Sequence, residues 1–152
     1  MVESLLKKVK DRKARVAVIG LGYVGLPLIL RFAEEDFSVI GFDVDKEKVD
    51  KLNSGKSYIK HIPESKIKKF IKTNKFKATI DYSKIKDTDC ILICVPTPLN
   101  DNKEPNLTYI KNTAEQIAKH MRKNQLISLE STTYPGTTRE VLLPFFEEKG
   151  WN

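Results

Sequence analysis

Cysteine is scarce in this chain: its 152 residues hold only Cys90 and Cys94. They stand four positions apart in one apolar run, which on a strand puts both side chains on one face. Extended chain holds their Cα atoms roughly 13 Å apart, too far for a disulfide. No third or fourth ligand stands beside them, so zinc is excluded and no metal is expected. The two are read as small buried strand residues. Histidine is equally sparse. His61 lies in a loop and His120 near a helix end, and both are read as surface residues. No apolar run approaches the roughly 20 residues a membrane helix needs, so no membrane partner is expected. The opening, Met1 to Arg15, is charged throughout and lacks the apolar centre of a signal peptide. Low-complexity linkers and internal repeats are missing too. These absences predict a cytoplasmic protein with a charged leader, residues 1–14, and one domain, residues 15–152. That length buries a core without disulfide staples.

Acidic residues are in deficit as well, 20 against 27 lysines and arginines, for a formal net charge of +7. Such a balance suits nucleic acid, anionic lipid or an anionic small ligand. The lysines concentrate between Lys56 and Lys77. Within that stretch Ile67, Phe70 and Ile71 recur at helical spacing, while Lys66, Lys68, Lys69 and Lys72 fall mostly elsewhere around the helix. This is the pattern of a solvated helix face. No RRM, helix-turn-helix or zinc-finger pattern accompanies it, so nucleic acid is the lesser alternative.

What is present is a regular alternation of strand and helix. Arg15 to Gly20 is a β-branched run of strand length, followed by a helix from Gly22 to about Glu35 with Pro27 in its early part. Ser38 to Asp43 is the second strand. Asp45 caps a helix to about Leu52, which Asn53-Ser-Gly55 stops. Ser57 to Pro63 is irregular, Glu64 to about Lys72 helical, and Phe76 to Ile80 a weaker strand. Cys90 to Val95 is the most apolar run and reads as a central strand covered on both faces. Asn106 caps a helix with the stripe Ile110, Ala114, Ile117, Ala118 and Met121. Gln125 to Glu130 is a strand, and Thr137 to about Lys149 a helix with a kink or early end at Pro144. The alternation predicts an α/β fold with a doubly wound parallel sheet.

The first strand-to-helix turn reads Gly20-Leu21-Gly22-Tyr23-Val24-Gly25. The spacing G-x-G-x-x-G is weak alone, but between a strand and a helix it is the fingerprint of a Rossmann-type dinucleotide site. Gly20 permits the tight turn. Gly22 removes a side chain that would block the pyrophosphate, and Gly25 lets helix and strand approach. The helix N-terminus offers free N–H groups and a partial positive charge. Asp43 follows 18 residues after Gly25, at the end of the second strand. There a carboxylate accepts both hydroxyls of the adenosine ribose and repels a 2′-phosphate, which favours NAD over NADP. Lys48, five residues on, weakens that preference. Val95-Pro96-Thr97-Pro98 and Glu130 to Pro135 end strands at the same rim. They are read either as a wall beside the ribose and nicotinamide or as ordinary turns.

Gly20-Leu-Gly-Tyr-Val-Gly-Leu-Pro27, Gly41-Phe-Asp-Val-Asp45, Cys94-Val-Pro-Thr-Pro98 and Glu130-Ser-Thr-Thr-Tyr-Pro-Gly-Thr-Thr138 together resemble the nucleotide-sugar 6-dehydrogenases, the UDP-glucose/GDP-mannose dehydrogenase family. The resemblance runs from about Arg15 to the end of the chain, with the motifs in the family's order. Ser57-Tyr-Ile-Lys-His-Ile-Pro63 and the run Glu130 to Thr137 are similar to the UDP-N-acetylglucosamine 6-dehydrogenase subgroup. Relatives acting on UDP-glucose, UDP-N-acetylmannosamine or UDP-N-acetylgalactosamine share the framework.

The resemblance implies an enzyme that oxidises the C6 alcohol of a UDP-sugar to a carboxylate with two NAD⁺. In the family a cysteine traps the aldehyde as a thiohemiacetal, and the thioester formed next is hydrolysed. Carried over by position, Gly20 to Gly25, Asp43, Lys48, Val95 to Pro98 and Thr132 contact NAD. Lys48 approaches the adenosine ribose and Thr132 the nicotinamide side. The Thr133 hydroxyl helps to orient the hydrolytic water. The family's nucleophilic cysteine, lysine, asparagine and aspartate belong to a later domain, and neither Cys90 nor Cys94 holds the nucleophile's position. The expectation is therefore an N-terminal NAD-binding domain of a homo-oligomeric parent, which binds NAD without turnover on its own. A stand-alone nucleotide-binding module is the competing reading.

Overall fold

The computed structural model describes residues 2–151. Strands β1 (Arg15–Ile19), β2 (Ser38–Phe42), β3 (Phe76–Thr79), β4 (Cys90–Ile93) and β5 (Leu126–Leu129) form one sheet in the order β3-β2-β1-β4-β5. Every pairing is parallel. The chain steps outward from β1 to β3, then crosses back to lay β4 on the other side of β1. That reversal opens a crevice between β1 and β4 at the carboxyl ends of the strands. The register aligns those ends: Ile19 stands beside both Phe42 and Ile93, and Ile93 beside Leu129. The residues that follow, Gly20, Asp43, Cys94 and Glu130, therefore emerge along one rim.

Helices α1 (Val2–Lys10), α2 (Gly25–Glu34), α3 (Lys46–Asn53), α4 (Glu64–Lys72), α5 (Thr108–His120) and α6 (Leu143–Glu147) cover both faces. Because strand residues alternate sides, Val16, Val18 and Val39 meet Leu26, Ile29, Leu52 and Ile67 on one face. Ala17, Ile19, Ile40, Ile91 and Ile93 meet Ile110, Ala114 and Ile117 on the other. The stripe expected on α5 is thus the one that is buried. Cys90 and Cys94 are free thiols on the α2 face, Cys90 buried and Cys94 half-buried. On α4, Ile67 and Phe70 are buried while Lys68, Lys69 and Lys72 face outward.

Helix α1 joins the domain. Leu5 and Val9 rest against the core, and the Lys8 ammonium lies 2.8 Å from Asp89 Oδ1. Buried Asp89 also accepts the Arg15 amide at 3.0 Å and Arg122 Nη2 at 2.8 Å, so one carboxylate ties α1, β1 and the turn before β5 together.

Four local features differ from the sequence reading. Helix α2 starts at Gly25, because Gly22 to Val24 form a turn before it. Asn106 sits one residue before the cap of α5 and accepts the Thr108 amide at 2.9 Å. A 3₁₀ turn, Tyr82–Asp87, fills the crossover from β3 to β4, and Asp81 starts it by accepting the Ser83 amide. The last helix is split: a π-helical turn, Thr138–Leu142, precedes α6. Pro144 has no N–H to continue the hydrogen-bond ladder, so the ladder resets there. Asp45 caps α3 as expected, accepting the Glu47 and Lys48 amides, and Gly55 turns the chain after it at φ +77°. Among the described residues no helix is long and apolar enough to cross a membrane.

Candidate functional site

The crevice at the carboxyl rim is a cleft of ≈ 1130 Å³. Its floor is the glycine turn. Gly20 adopts φ +94°, and a Cβ there would stand 2.6 Å from the Cys94 carbonyl oxygen. A Cβ on Gly25 would stand 1.7 Å from the Gly20 carbonyl oxygen, so this helix–strand approach admits glycine alone. Gly22 behaves differently: a Cβ there would meet no protein atom within 4 Å. No packing requirement within the chain explains the missing side chain, and the space beside it opens into the cleft. Among the described residues, the amides of Gly22, Tyr23 and Val24 donate to no protein acceptor. Free amides at the start of α2 in an open cradle make an anion site suited to a pyrophosphate.

Asp43 closes one side. Its Oδ2 accepts the Leu21 amide and its Oδ1 the Asp45 amide, both at 2.9 Å. Asp43 is 8% exposed and lines the cleft, with lone pairs left on both carboxylate oxygens for a diol. Lys48 reaches the same end, its ammonium 5.9 Å from the centre of the Tyr58 ring. Tyr82, from the 3₁₀ turn, lines the cleft too. Burial, then the charge of Asp43, pushes its hydroxyl up to about 12, so it stays a donor.

The far wall comes from the ends of β4 and β5. Val95, Pro96, Thr97 and Thr132 all line the cleft. The two segments are tied: Thr97 Oγ1 donates to the Thr132 carbonyl at 2.7 Å, and Ser131 Oγ donates to the Val95 carbonyl at 2.7 Å. Four of the sequence-predicted residues lie off the lining. Leu21 is buried and presents its backbone to Asp43, and Gly25 is buried against Gly20. Pro98 is exposed just past the wall, and Thr133 is half-buried one residue beyond Thr132. Cys94 lines the cleft, but burial, then the charge of Glu130, pushes its thiol up to about 11. Burial, then Asp89, raises Cys90 likewise. Neither is activated as a nucleophile.

Sequence reasoning passed over one wall. Tyr109, Asn112, Thr113 and Gln116 of α5 line the cleft. Their spacing of three, one and three is itself a helical stripe, lying beside the apolar one. That polar stripe was the signal available. Val44 and Tyr82 had no comparable pattern. His61 is exposed, His120 is half-buried at the end of α5, and neither lines the cleft.

The model of the UDP-glucose/GDP-mannose dehydrogenase family, NAD binding domain, matches residues 14–151. The chain belongs to this family. Among its relatives, UDP-N-acetyl-D-mannosamine dehydrogenase of Pyrococcus horikoshii is 37% identical over 131 residues, 84% of this chain and 30% of that protein. UDP-N-acetyl-D-glucosamine 6-dehydrogenase of Pseudomonas aeruginosa is 33% identical over 139 residues, 91% of this chain and 32% of that protein. The crystal structure of a ternary complex of GDP-mannose dehydrogenase from Pseudomonas aeruginosa superposes with a TM-score of 0.85 at 32% identity, covering 89% of this chain and 32% of that one. The chain spans about a third of the length of the curated relatives it matches. Its fold is that of an NAD-binding dehydrogenase domain, and its cofactor is NAD. The open cradle at Gly22 fits that cofactor.

Proposed function

We propose that this chain is the NAD-binding part of a UDP-sugar 6-dehydrogenase, acting on UDP-N-acetylglucosamine. The observation that supports it is the pairing of free amides at Gly22 to Val24 with the Asp43 carboxylate across one cleft. The amides of Gly22 to Val24 would hold the pyrophosphate of NAD, and Asp43, with Lys48 beside it, would hold the adenosine ribose. Asp43 disfavours a 2′-phosphate by like charge. Val95 to Pro98 and Thr132 flank the second ribose and nicotinamide, and the Thr133 hydroxyl orients the hydrolytic water. When bound, NAD would supply the hydride acceptor for oxidation at the sugar C6. Cys90 and Cys94, their thiols raised by burial, offer no activated nucleophile, and residues 1–152 are expected to bind NAD without turnover.

The sugar is inferred from Ser57-Tyr-Ile-Lys-His-Ile-Pro63 and from relatives named for UDP-N-acetyl-D-glucosamine, 33% and 35% identical. UDP-N-acetylmannosamine is the second reading, favoured by relatives named for it at 37% and 39% identity. Titration of the chain with NAD⁺, NADH and NADP⁺ tests the cofactor site, with binding of the first two expected. Absence of binding at millimolar NAD⁺ overturns it. The protein carrying the complete enzyme, offered each UDP-sugar in turn, tests the substrate: two NADH per UDP-N-acetylglucosamine are expected.

A further inference from the structure

The segment Ser57 to Pro63 sends one side chain to the glycine turn. Tyr58 is half-buried, and its hydroxyl donates to the carbonyl oxygen of Leu21. The segment that delivers it is well anchored. Ile59 and Ile62, which follow Tyr58, are buried, and the Ser57 hydroxyl donates to the Ile59 carbonyl at 2.9 Å. The Leu21 residue is therefore gripped at both ends, its N–H by Asp43 at 2.9 Å and its C=O by Tyr58.

The peptide that carries this carbonyl also carries the N–H of Gly22. In a trans peptide the C=O and the following N–H point in opposite directions, and no peptide among the described residues is cis. Tyr58 lies outside the cleft, against the α2 face of the core, whereas Gly22 lines the cleft. With the carbonyl held toward Tyr58, the Gly22 N–H points away from Tyr58; Gly22 itself lines the cleft, and that N–H has no protein acceptor among the described residues.

We propose that Tyr58 is a positioning residue for NAD: its hydroxyl holds the Leu21 carbonyl so that the Gly22 amide faces the cofactor's pyrophosphate. Without that bond the peptide gains freedom to rotate, and part of the ligand's binding energy goes into ordering it. Burial, then the charges of Asp43 and Asp45, raises the Tyr58 hydroxyl well above the ordinary phenol range, so it remains protonated as the donor role requires. The Lys48 ammonium above the Tyr58 ring links this support to the ribose end of the cleft.

The inference rests on the NAD reading of the cleft, and the test separates the two. The full chain and Tyr58→Phe are titrated with NAD⁺, with ADP-ribose, which keeps the diphosphate, and with adenosine, which has none. NMR follows the adenosine arm at millimolar ligand. Tyr58→Phe is expected to melt with the parent and to weaken NAD⁺ and ADP-ribose about three- to tenfold, the range of one neutral hydrogen bond. Adenosine binding stays unchanged. In the parent chain the Gly22 amide resonance shifts with ADP-ribose. Unchanged affinity for all three ligands, parallel loss of all three, a variant that fails to fold, or a Gly22 resonance indifferent to ADP-ribose each overturns the proposal. A parent chain that binds no NAD⁺ overturns the cofactor site itself, and this role with it.

Discussion

Asp43 Oδ2 accepts the amide of Leu21 at 2.9 Å, across the end of the β1–β2 pair. The acid expected to read the ribose is thus also a brace for the turn that reads the pyrophosphate. One carboxylate couples the two halves of the cofactor site.

Asp43→Asn tests that coupling. The amide side chain keeps one acceptor and puts an N–H where the carboxylate accepted a backbone amide or a hydroxyl. Hydrogen bonds to a charged partner contribute about 1.5–3 kcal/mol each, so NAD⁺ affinity is expected to fall at least about tenfold. The preference for NAD⁺ over NADP⁺ narrows at the same time, because the repelling charge is gone. Calorimetric titration with both cofactors measures it; an unchanged ratio of the two affinities contradicts the role given to the carboxylate.

The glycines separate folding from binding. Gly25→Ala places a Cβ 1.7 Å from a backbone oxygen, which no side-chain shift relieves. That chain is expected to melt far below the parent or fail to fold. Gly22→Ala meets nothing within 4 Å, so it is expected to melt within a few degrees of the parent yet lose NAD⁺ binding. Thermal melts with and without NAD⁺ distinguish the pair. Normal binding by Gly22→Ala would remove the case for a pyrophosphate at that position.

Asp89 predicts an acid-sensitive stability term. Burial pushes its carboxyl up, but hydrogen bonds from Lys8, the Arg15 amide and Arg122, with the charge of Lys8, outweigh burial and hold it below the usual carboxylate range of about 3.8. A depressed folded-state pKa stabilises the fold above the unfolded pKa, and that contribution is lost as pH falls through the folded value. Asp89→Asn is therefore expected to cost about 1–3 kcal/mol at pH 7. The difference from the parent shrinks below pH 3.8 as Asp89 protonates. Denaturant unfolding of both proteins across that range checks the sign, and a gap that widens in acid refutes it.

Cys94 is expected to be inert although it lines the cleft. With its thiol raised to about 11, the thiolate is about one part in a thousand at pH 8. Iodoacetamide should alkylate neither Cys90 nor Cys94 in the folded chain at that pH, and both in denaturant, as read by mass spectrometry. Cys94→Ser should bind NAD⁺ as the parent does. Rapid alkylation of the folded chain would reopen the question of a local nucleophile.

Patterns confined to short stretches were legible before the fold was known. The β-branched run from Arg15, the three glycines with their helix, the Asp45 cap and the apolar stripe of α5 each obey a local period or a local backbone need. The lysines of α4 were legible as a solvated face for the same reason. The split at Pro144 was half legible, since proline announces a missing donor but not the π-helical turn that accommodates it.

The sequence by itself determined the strand–helix alternation, the glycine turn and the acid 18 residues beyond it, because side-chain period and φ requirements act between near neighbours. The tertiary structure alone decided what stands around that turn. Tyr58 reaches Leu21 across 37 positions, Lys8 reaches Asp89 across 81, and Tyr109 and Gln116 face the cleft from beyond β4. Which distant segments meet depends on strand order and register, set by burying two apolar faces at once, and no local rule contains that sum.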